Sequence, residues 1–297
     1  MRSWRVVGAL AAAGVALAAC SSPSTNPSTS PGTAGPTPGA AAGQPVRVLY
    51  AGSLVNLMEH DIGPKFTAAE GYRFQGEGGG SDALANEIKG KVKQADVFIS
   101  ASPQTNSTLQ GAAGGNAESW FATFASSPLV IGYSPKSRFA ADLTSKPWQQ
   151  VLAEPGFRLG RTDPTTDPKG KLAVQALNQV GLTSLASDQS GVFPETELIG
   201  RLQSGQLDAG FFYSAEAAPD KIPTITIPPV SLGAAYTVTV LNQAPNRAGA
   251  VAFVNYLLGH DGSSTLTADG FQVTSPPAVS GDKGAVPAGL HPLIPAP

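Results

Sequence analysis

The stretch Val46-Arg47-Val48-Leu49-Tyr50-Ala51-Gly52-Ser53-Leu54 passes from a strand into a helix through one small turn. Residues 46–50 are a short apolar run, and Leu54, Leu57, Met58, Ile62 and Phe66 then recur at helical spacing. The pattern repeats at once. Residues 72–75 predict a second strand, Gly78-Gly79-Gly80-Ser81 a second small turn, and Leu84, Ile88 and Val92 a helix. Ala95-Asp96-Val97-Phe98-Ile99-Ser100 is a third strand. Strand, helix, strand, helix and strand in so few residues predict parallel strands with crossover helices, an α/β fold. Ligands of such sheets sit at the carboxyl ends of strands, where Ser53 and Ser81 both fall. A helix start offers unpaired N–H groups and the positive end of a dipole, and a hydroxyl adds a donor that rotates to fit. Two such starts predict a trap for a small oxyanion. The competing role of Ser53 is a simple helix cap, and the competing reading of Gly78 to Gly80 is a flexible hairpin.

Further along, Pro128-Leu129-Val130-Ile131-Gly132-Tyr133 predicts another strand, and Trp148 with Leu152 a short helix. Arg158-Leu159-Gly160-Arg161 leads into Thr162-Asp163-Pro164-Thr165-Thr166-Asp167-Pro168-Lys169-Gly170. A helix follows, with Asp167 as N-cap and Pro168 at its first position. A further helix follows Pro194. Asp208-Ala209-Gly210-Phe211-Phe212-Tyr213 and residues 236–241 predict buried strands, and 248–258 an apolar helix. From Gly270-Phe271 onward the chain reads as an irregular, Pro-rich tail. Trp120, Trp148 and Phe211 read as core. His60, His260 and His291 are scattered and read as surface residues.

Residues 1–19 read as a leader: Arg2 and Arg5 precede an apolar run too short to span a bilayer. Leu17-Ala18-Ala19-Cys20 is similar to the processing box of bacterial lipoproteins, with Cys20 as the lipidated residue. An ordinary signal peptide ending near a Cys is the alternative. Cys20 is the only cysteine, so no intramolecular disulfide or thiolate metal cluster can form. Residues 20–45 are almost wholly Ser, Thr, Pro, Gly and Ala, a composition that cannot bury enough surface to fold. As a tether they reach roughly 30–75 Å. Removing Arg2 and Arg5 from the 19 Lys+Arg leaves 17 against 21 Asp+Glu, a charge of −4. No basic field attracts nucleic acid, so anion binding has to rest on local dipoles.

Taken together, Ala51-Gly52-Ser53-Leu54, Gly80-Ser81, residues 95–101, Gly160-Arg161-Thr162-Asp163-Pro164 with Asp167-Pro168, residues 207–213, and 248–258 with Gly270-Phe271 resemble the molybdate- and tungstate-binding components of ABC importers. The resemblance runs from about residue 46 to 280. It implies a two-lobed type II periplasmic-binding-protein fold, each lobe a mostly parallel sheet with flanking helices. The first lobe would take 46–127 plus 239–285 and the second 128–238, with crossing strands near 125–133 and 234–241 and a tail at 286–297. It implies a tetrahedral dianion held without a counter-cation, by the hydroxyls of Ser53 and Ser81 from one lobe and Tyr213 from the other. Backbone N–H groups would come from the helix starts at Pro168–Lys169 and Glu195–Thr196. Lys169 either lends charge or is a solvated helix residue. Molybdenum or tungsten would enter only as the bound oxyanion, through Ser53, Ser81 and Tyr213. Where tungstate-binding relatives carry a Glu before the tyrosine, this chain has Phe212, closer to the type in which the anion stays tetrahedral. Other acidic partners would be Asp163 or Glu216. Asp163 and Asp167, however, read as caps, expected to point away from a dianion.

The implied protein is a monomer without cofactor or catalytic activity. It is anchored through Cys20 at the outer face of the cytoplasmic membrane or in the periplasm, and it delivers its anion to the membrane subunits of an importer. Neutral donors predict an affinity that changes little between about pH 6 and 8. Rival readings are a solute-binding protein for sulfate or phosphate, a hydrolase using Glu77 and Asp82 beside Ser81, and a lipoprotein that only contacts partners. No Gly-x-Ser-x-Gly elbow or Ser–His constellation supports the hydrolase.

Overall fold

The run at 46–50 forms β1 (Pro45–Ala51), which pairs in parallel with β2 (Arg73–Gly79) and β3 (Val97–Ser100). Ala51 lies opposite Gly79, so the Ser53 and Ser81 turns leave neighbouring strands at the same edge. The computed structural model describes residues 43–295. Cys20, the leader, the tether up to residue 42 and the last two residues lie outside the described residues. Pro45, placed in the tether by composition, already belongs to β1.

The second strand is longer than its apolar residues suggest. It continues through Gly76, Gly78 and Gly79, and Gly78 is required where β2 passes Val55, since a Cβ there would lie 2.5 Å from the Val55 side chain. The segment between β1 and β2 is helical throughout: a 3₁₀ turn at Gly52–Leu54, an α turn at Val55–Leu57, a π segment at Met58–Ile62 and an α-helix at Gly63–Glu70. Its apolar stripe, Leu54, Leu57, Met58, Ile62 and Phe66, is buried. Phe66 meets Phe253 of the Arg247–Leu258 helix edge-on at 5.1 Å.

The centre of the sheet is β4 (Trp120–Tyr133), fourteen residues long. The later strands are β5 (Leu159–Thr162), β6 (Val192–Phe193), β7 (Ala209–Tyr213), β8 (Thr224–Ile225), β9 (Gly233–Val240) and β10 (Gln272–Gly281). The order is β2-β1-β3-β9-β4-β7-β5-β6, with β8 and β10 also on β4. The first part of β4 pairs with β9 as far as Pro128↔Gly233, and the next residue, Leu129, pairs with Tyr213 of β7. Pro128 stands where the partner changes, and its missing N–H costs no ladder bond there. Gly233 is needed opposite it, because a Cβ would meet the Ser127 carbonyl at 2.6 Å. Two α/β halves therefore share one strand. The boundaries expected at 127/128 and 238/239 fall inside β4 and β9.

The tail departs from expectation. It is not irregular from Gly270: β10 pairs antiparallel with β4 at 272–273 and again at 278–281. The register breaks between those pairs, where Pro276 and Pro277 sit and cannot donate. Beyond it Leu290 and Ile294 are fully buried in the core, so residues read as a loose end close one side of it.

Candidate functional site

Ser53 follows β1 in the Gly52–Leu54 turn. The two N–H groups that open this turn are aimed together, as at any helix start. Gly52 N–H donates to Glu195 Oε2 at 2.8 Å and Ser53 N–H to Glu195 Oε1 at 3.0 Å. Glu195 comes from the other half of the sheet, at the head of the Glu195–Glu197 turn between β6 and β7. Its carboxylate thus fills a two-donor cradle. Gly52 is required there, because a Cβ would lie 2.6 Å from Oε2.

Behind Glu195 is a buried charge cluster. Asp167 caps the Pro168–Gln179 helix, its Oδ1 accepting from Lys169 N–H at 3.0 Å. The Lys169 ammonium, with no exposure, lies 2.6 Å from Glu216 Oε1 and 3.4 Å from Glu195 Oε1. The other Glu216 oxygen accepts from the Tyr213 N–H at 3.1 Å, which fixes the end of β7. The Tyr213 ring faces Tyr236 of β9 at 6.0 Å and 76°, and the Tyr236 hydroxyl donates to Ser53 Oγ at 3.1 Å. Ser81, first residue of the Ser81–Lys89 helix, accepts from Ala101 N–H at 3.1 Å. The Asp82 and Ala83 N–H groups of that helix both donate to the Thr166 carbonyl of the other half at 3.1 Å. Gly80 permits this approach, since a Cβ would meet that oxygen at 2.4 Å.

A cavity of about 310 Å³ opens beside the cradle. Gly52, Ser53, Glu195, Thr196 and Glu216 line it, with Asn56, His60 and Asp220 towards its mouth. Of the residues expected from sequence, Ser53, Glu195 and Thr196 share this cavity. Lys169 and Tyr213 are buried behind it, and Ser81 is tied down at the neighbouring strand end.

Several expectations need correction. Pro168 has no N–H to give, and the Lys169 N–H is spent on Asp167, so the Pro168–Lys169 start is not a backbone donor site. Lys169 is not a solvated helix residue, because three carboxylates hold it inside. Glu195 reaches the first half with its side chain, an acceptor, and not with a backbone donor, while Thr196 is exposed at the rim. Asp163 is a half-buried cap for Thr165, as expected, but Asp167 is buried among the charged groups and its Oδ2 has no partner among the described residues. The pocket is therefore not made of neutral donors alone. Tyr236 was missed entirely. Within an apolar strand nothing sets its hydroxyl apart, and its partner Ser53 is 183 residues away. Glu77 and Asp82 form no catalytic pair: Glu77 binds Lys93 at 2.5 Å, and Asp82 binds Lys171 at 2.7 Å and Thr105 at 2.8 Å.

The electrostatics follow from burial. Loss of water pushes the Glu195 carboxyl upward and the nearby Asp167 adds to this, while Lys169 and the Gly52 N–H oppose it and favour the ionised form. Burial likewise raises Asp167. Burial alone would lower Lys169, but Glu216, Glu195 and Asp167 together hold it above the ordinary lysine value. The Tyr213 and Tyr236 hydroxyls are pushed well above 10.0 by burial. Away from the site, Glu118 is buried against Asn106 (2.9 Å) and is also raised to about 8 by burial.

Comparisons with known proteins agree with this architecture. The family described as bacterial extracellular solute-binding protein matches residues 46–272. A putative ABC transporter molybdenum-binding protein of Haloferax volcanii is 28% identical over 221 residues, covering 72% of this chain and 66% of that protein, just under two thirds of its length. The molybdate/tungstate-binding protein WtpA of Thermococcus kodakarensis is 24% identical over 269 residues, covering 71% and 75%. Among solved structures, the periplasmic molybdate-binding protein of Azotobacter vinelandii superposes with a TM-score of 0.64 at 22% identity, covering 77% of this chain and 99% of that one. The fold is thus the two-lobed periplasmic-binding type.

The raised Glu118 carboxyl sets a pH dependence. It starts from 4.5 unfolded and rises to about 8 folded. Folding therefore favours its protonated form, and that contribution is lost as pH climbs through the folded value. A tenfold change in proton affinity is worth about 1.4 kcal/mol, or ~3–6 °C in Tm for a domain of this size. Its contribution to Tm should fall between about pH 5 and pH 8.5, and Glu118→Gln should flatten the fall. A Glu118→Gln variant whose Tm, followed by circular dichroism, falls as steeply as wild type over this window would contradict the placement of this group.

Proposed function

We propose that this chain, which belongs to the bacterial extracellular solute-binding protein family, binds the oxyanions molybdate and tungstate and delivers them to an ABC importer. It is a binding protein, not an enzyme. The observation that carries the proposal is the set of unspent donors around the cradle. Two backbone N–H groups already hold a pair of carboxylate oxygens. The Ser53 and Ser81 hydroxyls accept hydrogen bonds but give their own hydrogens to no acceptor among the described residues. The buried Tyr213 hydroxyl has no partner among them. Buried hydroxyls are normally satisfied, so unspent hydrogens at both halves suit an acceptor-rich guest. Molybdate and tungstate offer only acceptors. The Lys169 ammonium supplies positive charge close by.

The donors stand on different halves: Ser53 and Ser81 on the first, Tyr213 and Lys169 on the second. A guest that satisfies both sets bridges the two halves and holds them together around it. We assign the lobes as 46–127 with 239–285 and 128–238, hinged where β4 and β9 cross. In this reading the cargo is a transported ligand and not a cofactor, and the protein acts as a monomer. No described helix is long and apolar enough to cross a membrane, and lipid attachment at Cys20 is the proposed anchor. Sulfate and phosphate are the second reading, because they present the same tetrahedron of oxygens. The named ligands of the relatives support the heavier anions.

Calorimetry of the chain with molybdate, tungstate, sulfate and phosphate should find the first two tight and sulfate much weaker. Sulfate or phosphate binding as tightly as molybdate would reassign the cargo. A hydrogen bond to a charged group is worth about 1.5–3 kcal/mol, so Ser53→Ala, Ser81→Ala and Tyr213→Phe should each weaken molybdate roughly 10- to 150-fold. Unchanged affinity in all three would place the pocket elsewhere. For the anchor, Cys20→Ala should move the protein out of the membrane fraction, and a variant still found there would exclude lipidation at Cys20.

A further inference from the structure

We infer that the Glu195 carboxylate is a resident anion: it occupies the oxyanion cradle of the ligand-free chain, and a cargo anion loads by displacing it. The inference rests on the proposed reading of this site and adds how the site is regulated. Glu195 makes the two kinds of contact an oxyanion would make here. Its oxygens take both cradle N–H groups, at 2.8 and 3.0 Å, and Oε1 lies 3.4 Å from the Lys169 ammonium. No other side chain among the described residues bonds those two N–H groups. Two oxygens on two amides is a bidentate fit, and charge-assisted bonds of this kind are the strong ones.

Charge forbids simple addition of the cargo. Glu195, Asp167 and Glu216 already surround one ammonium. A dianion placed among them without a departure would face three carboxylates in a medium that screens poorly. Exchange relieves this. When Glu195 swings out, the cradle and one side of Lys169 fall vacant together, and Glu216 keeps its own bond to Lys169. The exit exists, since Glu195 lines the 310 Å³ cavity and its neighbours Pro194, Thr196 and Glu197 are exposed.

The same contact closes the empty protein. Glu195 ties the second half to the first with no ligand present, aided by Thr166 on Asp82 and Ala83, by Lys171 on Asp82, and by Asn56 on Asp220 at 3.2 Å. Glu195 therefore acts as an internal competitor. A small monoanionic carboxylate, weaker and intermolecular, does not evict it, whereas a dianion with several oxygens does. If the cradle stands vacant in about 1–10% of molecules, apparent affinity is reduced roughly 10- to 100-fold.

The test compares wild type, Glu195→Ala and Glu195→Gln. Ligand-free Glu195→Ala should show a larger radius of gyration in small-angle scattering. It should bind molybdate at least about tenfold more tightly than wild type. It should also bind formate, which fits the vacated cradle, with formate and molybdate competing, while wild type shows no formate binding. Glu195→Gln keeps the side-chain shape and one acceptor, so it should fall between the two, and it carries the comparison if the alanine variant does not fold. If wild type binds molybdate and both variants bind it equally or more weakly, Glu195 is no competitor and the inference fails while the cargo assignment stands. If no variant binds molybdate, yet Glu195→Ala opens and takes up formate, the cargo assignment fails and the resident-anion contact stands. Variants with unchanged radius of gyration and no formate binding overturn the inference outright.

Discussion

A lysine ammonium sealed from water has to be surrounded by anions, and in this protein the residues around the candidate site are arranged around that need. Lys169 gathers Glu216 at 2.6 Å and Glu195 at 3.4 Å, with Asp167 two residues before it capping its helix. Each of these carboxylates has a second task. Glu216 holds the end of β7 through Tyr213, Asp167 starts the Pro168–Gln179 helix, and Glu195 reaches across to the turn after β1. Removing one member of such a buried group leaves the others uncompensated, typically at a cost of about 3–5 kcal/mol. The cluster thus couples the positions of three elements that come from distant parts of the chain.

The sheet supplies the frame for this coupling. Because β4 serves both halves and changes partner at Pro128, the two halves can pivot without breaking a ladder in the middle of either. The parallel register of β1 with β2 sets the Ser53 and Ser81 turns side by side, and glycines at 52 and 80 let the opposite half approach within hydrogen-bonding distance of both. Here the absence of a side chain matters more than backbone freedom: a methyl group at either place would stand where an oxygen of the other half now lies.

Much of this was legible in the sequence. The alternation of apolar strands and helical stripes over residues 46–100 is local, so it gave the parallel sheet and placed Ser53 and Ser81 at its carboxyl edge. Asp167 followed by Pro168 marked a helix start for the same reason. The tail was misread because Pro276 and Pro277 suppress the strand signal, although the residues on either side of them pair with β4. The role of Glu195 was out of reach. It depends on amides 142 and 143 residues away, and an exposed-looking Pro-Glu-Thr-Glu turn does not announce a buried carboxylate. Lys169 was ambiguous for a related reason: local pattern cannot tell a solvated lysine from one whose partners arrive from another part of the fold.

The account as a whole stands on one place in the molecule, the pair of amides at Gly52 and Ser53. It is tested most directly by diffraction from crystals grown with molybdate, using the anomalous signal of molybdenum to locate the anion without bias from the protein density. The account predicts a single strong anomalous peak within hydrogen-bonding reach of both amides and of the Ser53 hydroxyl, with the Glu195 carboxylate turned out towards the cavity. A peak elsewhere, or a peak with Glu195 still seated on the two amides, would contradict it.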